Sequence, residues 1–436
     1  IDNLMQLEKD KITYFLLFFF SLSYFIFGFI VGENSAGAGG YKGDFIHTWN
    51  NLKIFLNNNI NYSIQEYYSN RSPLIYILHE YFNPLTNNEF QFRLSVFLLS
   101  FFIPVLLFLC LKSKFQKENI NILVLLTMCS TVLFSPYVRT SGYWALEENF
   151  GIIAVLLSYL FFNYFNISSI NKFILLFFAI FFSSICVYFD LKLIIIPLII
   201  FCSIIFSECE RKFKIVSVFL YFLFSLPYFY LIYNWKGFFS PKAAITHTLK
   251  EGIYWDHLVY VIPIICLYMM PFFILRKKNL IDEIKINIFK NSTNLILVIL
   301  IFLSLFFIIF FYKPVELSYH ANIGKGFIFK LGSLFNNILY KKLFFLISSF
   351  TSTIIVITYI GKKIIDKLII FFYILLSVLL YPLMQEYFDP LIFLLVFLFF
   401  KTKIFLNNNK SIYLFYFYFL SLGLFAKFYY QSILNL

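Results

Sequence analysis

Glu33-Asn-Ser-Ala-Gly-Ala-Gly-Gly-Tyr-Lys-Gly-Asp44 follows directly on the first long apolar run of the chain, a polar, glycine-rich stretch with a carboxylate at each end. A helix leaving a bilayer surfaces at such a point, so a carboxylate there meets apolar and aqueous phases together. Asp44 so placed is within reach of a lipid-borne and a water-borne substrate. The chemistry this permits is general base catalysis, in which the carboxylate takes the proton of an attacking hydroxyl. Gly37, Gly39, Gly40 and Gly43 allow left-handed backbone and close approach to a ligand. No Gly-Lys-Ser/Thr follows them, which excludes a nucleotide-type phosphate loop. The plain alternative is that Asp44 caps a helix beginning at residue 45, and spacing alone favours neither. Glu33 is a second candidate, to orient an acceptor or share a metal ion.

Cations that suit a phosphate come next. In Tyr67-Tyr-Ser-Asn-Arg71-Ser-Pro73-Leu-Ile-Tyr76, the proline predicts a break near residue 72. Arg71 then sits at a membrane edge, where its planar fork matches phosphate geometry; the alternative is an arginine snorkelling to headgroups. His79 and Glu80 follow, with His79 read as structural. Between two later apolar runs, Arg139 precedes the adjacent acids Glu147 and Glu148. Charges that close to hydrocarbon are costly and tend to be functional, although an acid at 147 or 148 also suits a helix N-terminus. Asp190 and Lys192 flank a tight turn and read as a mutual ion pair. Lys325 and Lys330, among glycines, are candidates to hold a phosphate. Glu386, in Gln385-Glu386-Tyr-Phe-Asp389-Pro390, reads as the wall of a site.

The elements that must position these residues are membrane helices. The chain of 436 residues is 61% hydrophobic and 13% charged, against roughly 45–50% and about 25% for a soluble domain. So much apolar surface needs lipid as its solvent. The net charge of +13 lies in short clusters between apolar runs, such as Lys112-Ser-Lys-Phe-Gln-Lys117 and Arg276-Lys-Lys278. That pattern sets membrane orientation and argues against a nucleic-acid partner. The six cysteines contain no CxxC pair and imply neither a disulfide frame nor a zinc site.

Apolar runs near 12–31, 94–111, 119–135, 149–166, 173–189, 191–207, 215–233, 258–275, 293–312, 343–360, 368–383, 390–400 and 411–427 predict about thirteen spans. The fold expected is an all-α polytopic membrane protein, with residues 1–436 as one transmembrane domain. The first run reads as a span rather than a cleaved signal. With the N-terminus in the cytoplasm, the basic links fall inside. The long polar segments 32–93, 234–257 and 313–342 then lie on the extracytoplasmic face. Segment 32–93 is too long for a structureless loop, and mixed three- and four-residue apolar spacing over 44–59 and 63–82 predicts short amphipathic helices lying at the interface.

The order of these features resembles the GT-C superfamily of membrane glycosyltransferases, which includes protein O-mannosyltransferases and aminoarabinose transferases. The likeness covers about residues 12–165 and, more faintly, 380–400. One span is followed by an outer loop opening with acids, here Glu33 and Asp44. Pro73–Tyr76 is similar to the family's His-Pro-Pro-Leu-Tyr, with Arg-Ser replacing His-Pro. Phe92-Arg93-Leu94 is similar to its Arg-Leu-Pro-Ser, and Ser135-Pro136…Arg139…Glu148 to its third-span exit. Glu386-Tyr-Phe-Asp-Pro resembles its Arg-Tyr-x-x-Pro but lacks the Arg.

The resemblance implies an inverting transfer from a polyprenyl-phosphate sugar donor to a glycan, lipid or protein hydroxyl, with Asp44 as base. Glu33 would assist, and Arg71, Arg139, Glu148, Lys325, Lys330 and Glu386 would bind substrate. The resemblance fixes no cofactor and leaves a divalent metal ion as the candidate. The location expected is a bacterial inner membrane. Two rival classes are a lipid-linked oligosaccharide polymerase or ligase, and a flippase or transporter without bond chemistry. The first typically carries a large late outer loop rich in Arg, whereas here the first outer loop is the longest. The second needs charges lining a path through the spans, and almost none lie at mid-span.

Overall fold

The computed structural model describes residues 2–34, 41–69, 71–116, 118, 120–168, 170–237, 240–242, 253–276, 280–312, 326–360, 364–380, 383–400, 406 and 409–434. Among them every regular element is helical, with no strand. The protein is an integral membrane protein: nine described helices are long and apolar enough to cross a bilayer. Two compact units form, one from residues 1–249 and 419–436, the other from residues 250–418.

Thirteen spans were expected, and the difference is instructive. Ile122–Phe134 and Pro136–Tyr143 pass the span test only together and bend by 69° at Ser135. Leu191–Ile205 is a shorter apolar helix. Ile364–Leu379 has 16 residues, and Leu391–Phe399 is a short α turn running into a π turn. Apolarity alone does not make length: Pro136, Asp190 and Pro390 each interrupt or start a helix where the hydropathy runs on.

In the first unit, α1 (Asp2–Ile30) is followed by α2 (Tyr41–Asn57), α3 (Ile60–Glu66) and α4 (Leu74–Phe82). Asn59 caps α3, its side chain accepting from Tyr62 N–H, as a short polar residue does at a helix start. Then come α5 (Glu89–Ser100) and α6 (Phe102–Lys114), α7 (Ile122–Ser130), α8 (Pro136–Tyr143), α9 (Glu148–Ile167), α10 (Lys172–Phe189), α11 (Ile195–Ile205) and α12 (Arg211–Trp235). Helix α1 packs on α7, α6 on α9, and α10 between α9 and α12. Small residues bring these backbones together. Thr127 Oγ1 donates to Tyr14 O at 3.0 Å, and Ser130 Oγ to Ser21 Oγ at 3.1 Å. At Gly28 a Cβ would stand 2.3 Å from the Tyr143 hydroxyl, which itself donates to Phe25 O at 2.7 Å. Polar groups paired across helices are what an apolar solvent demands. Phe15, Phe19, Phe219 and Phe222 stay exposed, as lipid-facing residues do.

In the second unit, His257–Ile274 packs against Ile338–Ile360 and Ile364–Leu379. Ser349 Oγ donates to Val259 O at 2.7 Å. Ile288, Val298 and Ile357 form a buried cluster that joins Ser292–Phe311 to the same bundle.

Candidate functional site

The chain between α3 and α4 is built to present Arg71. Tyr68 N–H donates to Asn51 Oδ1 of α2 at 2.8 Å, and Tyr67 Oη donates to Arg71 O at 2.9 Å. Ser69 Oγ accepts from Arg71 N–H at 3.2 Å. Pro73, without an N–H to offer, precedes the first residue of α4, where a proline is tolerated. The Arg71 side chain then reaches the start of α9, with Nη1 against Glu147 and Nη2 3.1 Å from Glu148 Oε1. Ser141 Oγ holds the other Glu148 oxygen at 3.1 Å. Two residues before Glu147, Ala145 adopts φ 49°. This left-handed step, costly for a residue with a Cβ, turns the chain between α8 and α9. Negative charge at 147 and 148 also faces the positive end of the α9 dipole.

Around Arg71 lie further charges. Glu148, Asp44 and Asp190 act on its guanidinium; burial works against that charge, and the carboxylates outweigh it, so its pKa stands above the usual arginine value. Lys192 Nζ is 2.9 Å from Asp190 Oδ2 and its charge is felt at Glu148. The reading of Asp190 and Lys192 as a pair therefore describes them, but both also belong to this group.

Asp44 is in the first turn of α2, which begins at Tyr41 rather than at residue 45. Its side chain is exposed. Desolvation raises its carboxyl pKa above 3.8, Arg71 pulls it down, and Glu148 pushes it up again. Asp44 is thus an exposed carboxylate that lies in the electrostatic field of Arg71 and Glu148. The glycines at 37, 39 and 40 lie outside the described residues.

Glu33 and Arg139 meet each other elsewhere in the same unit. Arg139 Nη2 is 2.9 Å from Glu33 Oε1, and both side chains have no exposed surface. Lys427, from the last helix (Asn409–Leu434), approaches Glu33 Oε2 at 3.3 Å. The Tyr24 ring lies under both cations, 4.6 Å from Arg139 and 5.5 Å from Lys427. This is a sealed ionic joint between α1, α8 and the last helix, with nothing of Glu33 or Arg139 presented to a ligand. Lys427 carried no signal in the sequence, since a lysine in a late apolar run reads as a snorkelling residue.

His79 is buried, edge-on to the rings of Phe92 and Phe150. Its Nδ1 is 2.9 Å from Asn83 Nδ2, which donates, so Nδ1 accepts. Burial lowers its pKa to about 3, and the ring is a neutral core group.

Beside Arg71 the surface changes character. A groove of about 310 Å³ is lined by Ser72, Pro73, Leu74, Ile77, Phe181, Phe224 and neighbouring residues of α3, α4, α10 and α12. Ser72, the residue after Arg71, is part of its wall.

Lys330 and Glu386 belong to the second unit. Burial pushes the half-buried Lys330 amine down to about 8. Glu386 lies in the single turn Gln385–Tyr387. Gln385 ties that turn to the helix Gly326–Ser333, its Oε1 accepting from Phe327 N–H at 3.0 Å. Lys325 lies outside the described residues. Among the described residues no three His, Cys, Asp or Glu side chains converge to hold a metal ion.

Glu147 is the member of the site that sequence reasoning valued least. It is 1% exposed and shares Arg71 with Glu148. The doubled acid was the signal, but a pair of glutamates at a helix start reads equally well as capping. Comparison of the chain with protein-family models, with curated proteins and with solved structures gives no match.

Proposed function

We propose that the protein is an inverting membrane glycosyltransferase that moves a sugar from a polyprenyl-phosphate donor to a glycan, lipid or protein hydroxyl on the extracytoplasmic face. One observation carries the reading: an exposed carboxylate, Asp44, shares its electrostatic environment with Arg71, and the residues that follow Arg71 in the chain line an apolar groove. The reaction needs a base beside water, a cation for a phosphate, and an apolar track for a lipid, all adjacent.

In the proposed reaction Asp44 takes the proton of the acceptor hydroxyl. The oxygen attacks the anomeric carbon from the face opposite the phosphate. The bond from that carbon to the phosphate oxygen breaks, and its electron pair leaves on polyprenyl phosphate, whose charge Arg71 steadies. Isoprene units lie along Leu74, Ile77, Phe181 and Phe224. Charge in a site partly shielded from water is worth more than in bulk. Glu33 and Arg139 contribute by holding α1 and α8 together rather than by touching substrate, and no step is routed through a metal ion.

The test is turnover by purified protein in vesicles, given polyprenyl-phosphate sugars and candidate acceptors. Product of inverted anomeric configuration is expected, and Asp44→Asn should lower kcat by roughly 10²–10⁴-fold, the range of general base catalysis. Near-parental turnover by folded Asp44→Asn removes Asp44 from the role. Movement of labelled lipid across the vesicle with no transfer product makes the protein a flippase.

A further inference from the structure

Arg71 presents a difficulty for any anionic ligand, because both terminal nitrogens already face carboxylates, Nη1 on Glu147 and Nη2 on Glu148. A phosphate added to that arrangement places three anions on one guanidinium. Like charges gathered at one site oppose each other strongly where water is scarce. One carboxylate must give way, and the two differ in how easily they do so.

Resting on the glycosyltransferase reading, we propose that Glu147 is the fixed anchor of Arg71 and Glu148 its exchangeable partner, so that an incoming lipid phosphate takes the place of Glu148 on Nη2. Both glutamates are buried, 1% and 8% exposed, but neither Glu147 oxygen has a hydrogen-bond partner, so leaving Arg71 would strand that carboxylate in the protein interior, which is strongly unfavourable. Glu148 has other support. Ser141 Oγ donates to its Oε2 at 3.1 Å, and the Lys192 ammonium acts on it from the turn after α10. The Arg71 side chain is 34% exposed, so it is not sealed in the interior as Glu147 is. Ser72, a lining residue of the groove, follows it directly in the chain.

The exchange is a movement of partners with no bond made or broken. Phosphate oxygens accept from Arg71 Nη2, and Glu148 keeps Ser141 and turns to Lys192. Lys192 is shared between Glu148 and Asp190, whose Oδ2 it meets at 2.9 Å. Asp44 on α2 and Tyr76 on α4 complete the set of titratable groups facing Arg71. Glu147 is thus a positioning residue, and Glu148 sets how strongly the site prefers an anionic head.

The experiment measures binding of tritiated farnesyl phosphate and of farnesol to full-length protein in detergent. The ratio of the two affinities isolates the head from the tail. The parent should prefer the phosphate. Glu148→Gln removes the competing charge and should raise the ratio by roughly tenfold, the scale of one charged hydrogen bond. Glu147→Gln frees the guanidinium and should lower the ratio by a similar factor, while Glu147→Asp, which keeps the charge, should recover most of it. Thermal melting of each variant reports folding separately. If the parent prefers the phosphate and neither glutamine variant moves the ratio, or both move it alike, the exchange is wrong and the donor reading stands. A parent that binds both lipids equally, or neither, overturns both.

Discussion

At the scale of single residues, protonation separates Asp44 from its neighbours. In the proposed role of base Asp44 must be ionised, and its pKa is raised above 3.8 by desolvation and by Glu148, against Arg71. The acid limb of kcat/KM is therefore expected above the ordinary aspartate range, and it should vanish in Asp44→Asn along with the residual rate's pH dependence. A carboxyl raised in the folded state adds stability below its unfolded pKa, and that stability is lost as pH rises through the folded value. Asp44→Asn should accordingly melt no lower than the parent at pH 7.5, which is measurable by a detergent melt.

His79 behaves in the opposite sense. Its folded pKa is about 3 against 6.5 in the open chain, so the unfolded state takes up protons first as pH falls. Its stability is intact above about pH 6.5 and declines below it, by up to about 1.4 kcal/mol per pH unit. Melting scans from pH 7.5 to 4.5 should show that decline in the parent and a smaller one in His79→Asn, which keeps an acceptor near Asn83. Burial of His79 was legible in Leu74-Ile-Tyr-Ile-Leu-His. That Arg71 would be shared by two glutamates was not, because 76 residues separate Arg71 from Glu147 and nothing local couples them.

At the scale of elements, the bend between α7 and α8 does the placing. Ser135 caps α8 through Val138 N–H and Pro136 starts it, signals plainly written in Ser-Pro. The 69° angle turns α8 inward, so that Arg139 meets Glu33 rather than a ligand. The last helix fits against that bend at Gly423, where a Cβ would stand 2.4 Å from the Phe134 carbonyl oxygen. Backbone cannot step aside as a side-chain tip does. Gly423→Ala should cost about 1–3 kcal/mol, typical of overpacking, and should lower the melting midpoint more than Gly43→Ala. At Gly43 a Cβ meets nothing within 4 Å. The proline and serine could be read from the chain; the need for glycine at 423 could not, since it depends on a contact with residues nearly three hundred positions away.

At the scale of the whole molecule, nine described helices meet the span criterion, and the side on which each link lies depends on the shorter ones. Leu191–Ile205 decides a testable case. With the N-terminus inside, the bent pair Ile122–Phe134 and Pro136–Tyr143 crossing as one span and Leu191–Ile205 crossing as well, Cys209 faces the cytoplasm; without the last crossing it shares a side with Asp190. Cys209 is half-buried. An impermeant maleimide should label it in inside-out vesicles and leave it untouched in right-side-out ones, and the reverse result would mean that Leu191–Ile205 does not traverse. The sequence by itself determined the solvent of the fold, the helical class and the breaks at prolines, because hydrophobic transfer and backbone sterics act locally and add along a chain. It also marked which charges were costly enough to merit attention. Only the tertiary structure decided which of those charges meet: Glu33 with Arg139 and Lys427 in a sealed joint, and Arg71 with Glu147 and Glu148 beside an open groove. Ion pairing depends on separations of a few ångströms in space, and those are set by how helices pack rather than by their order.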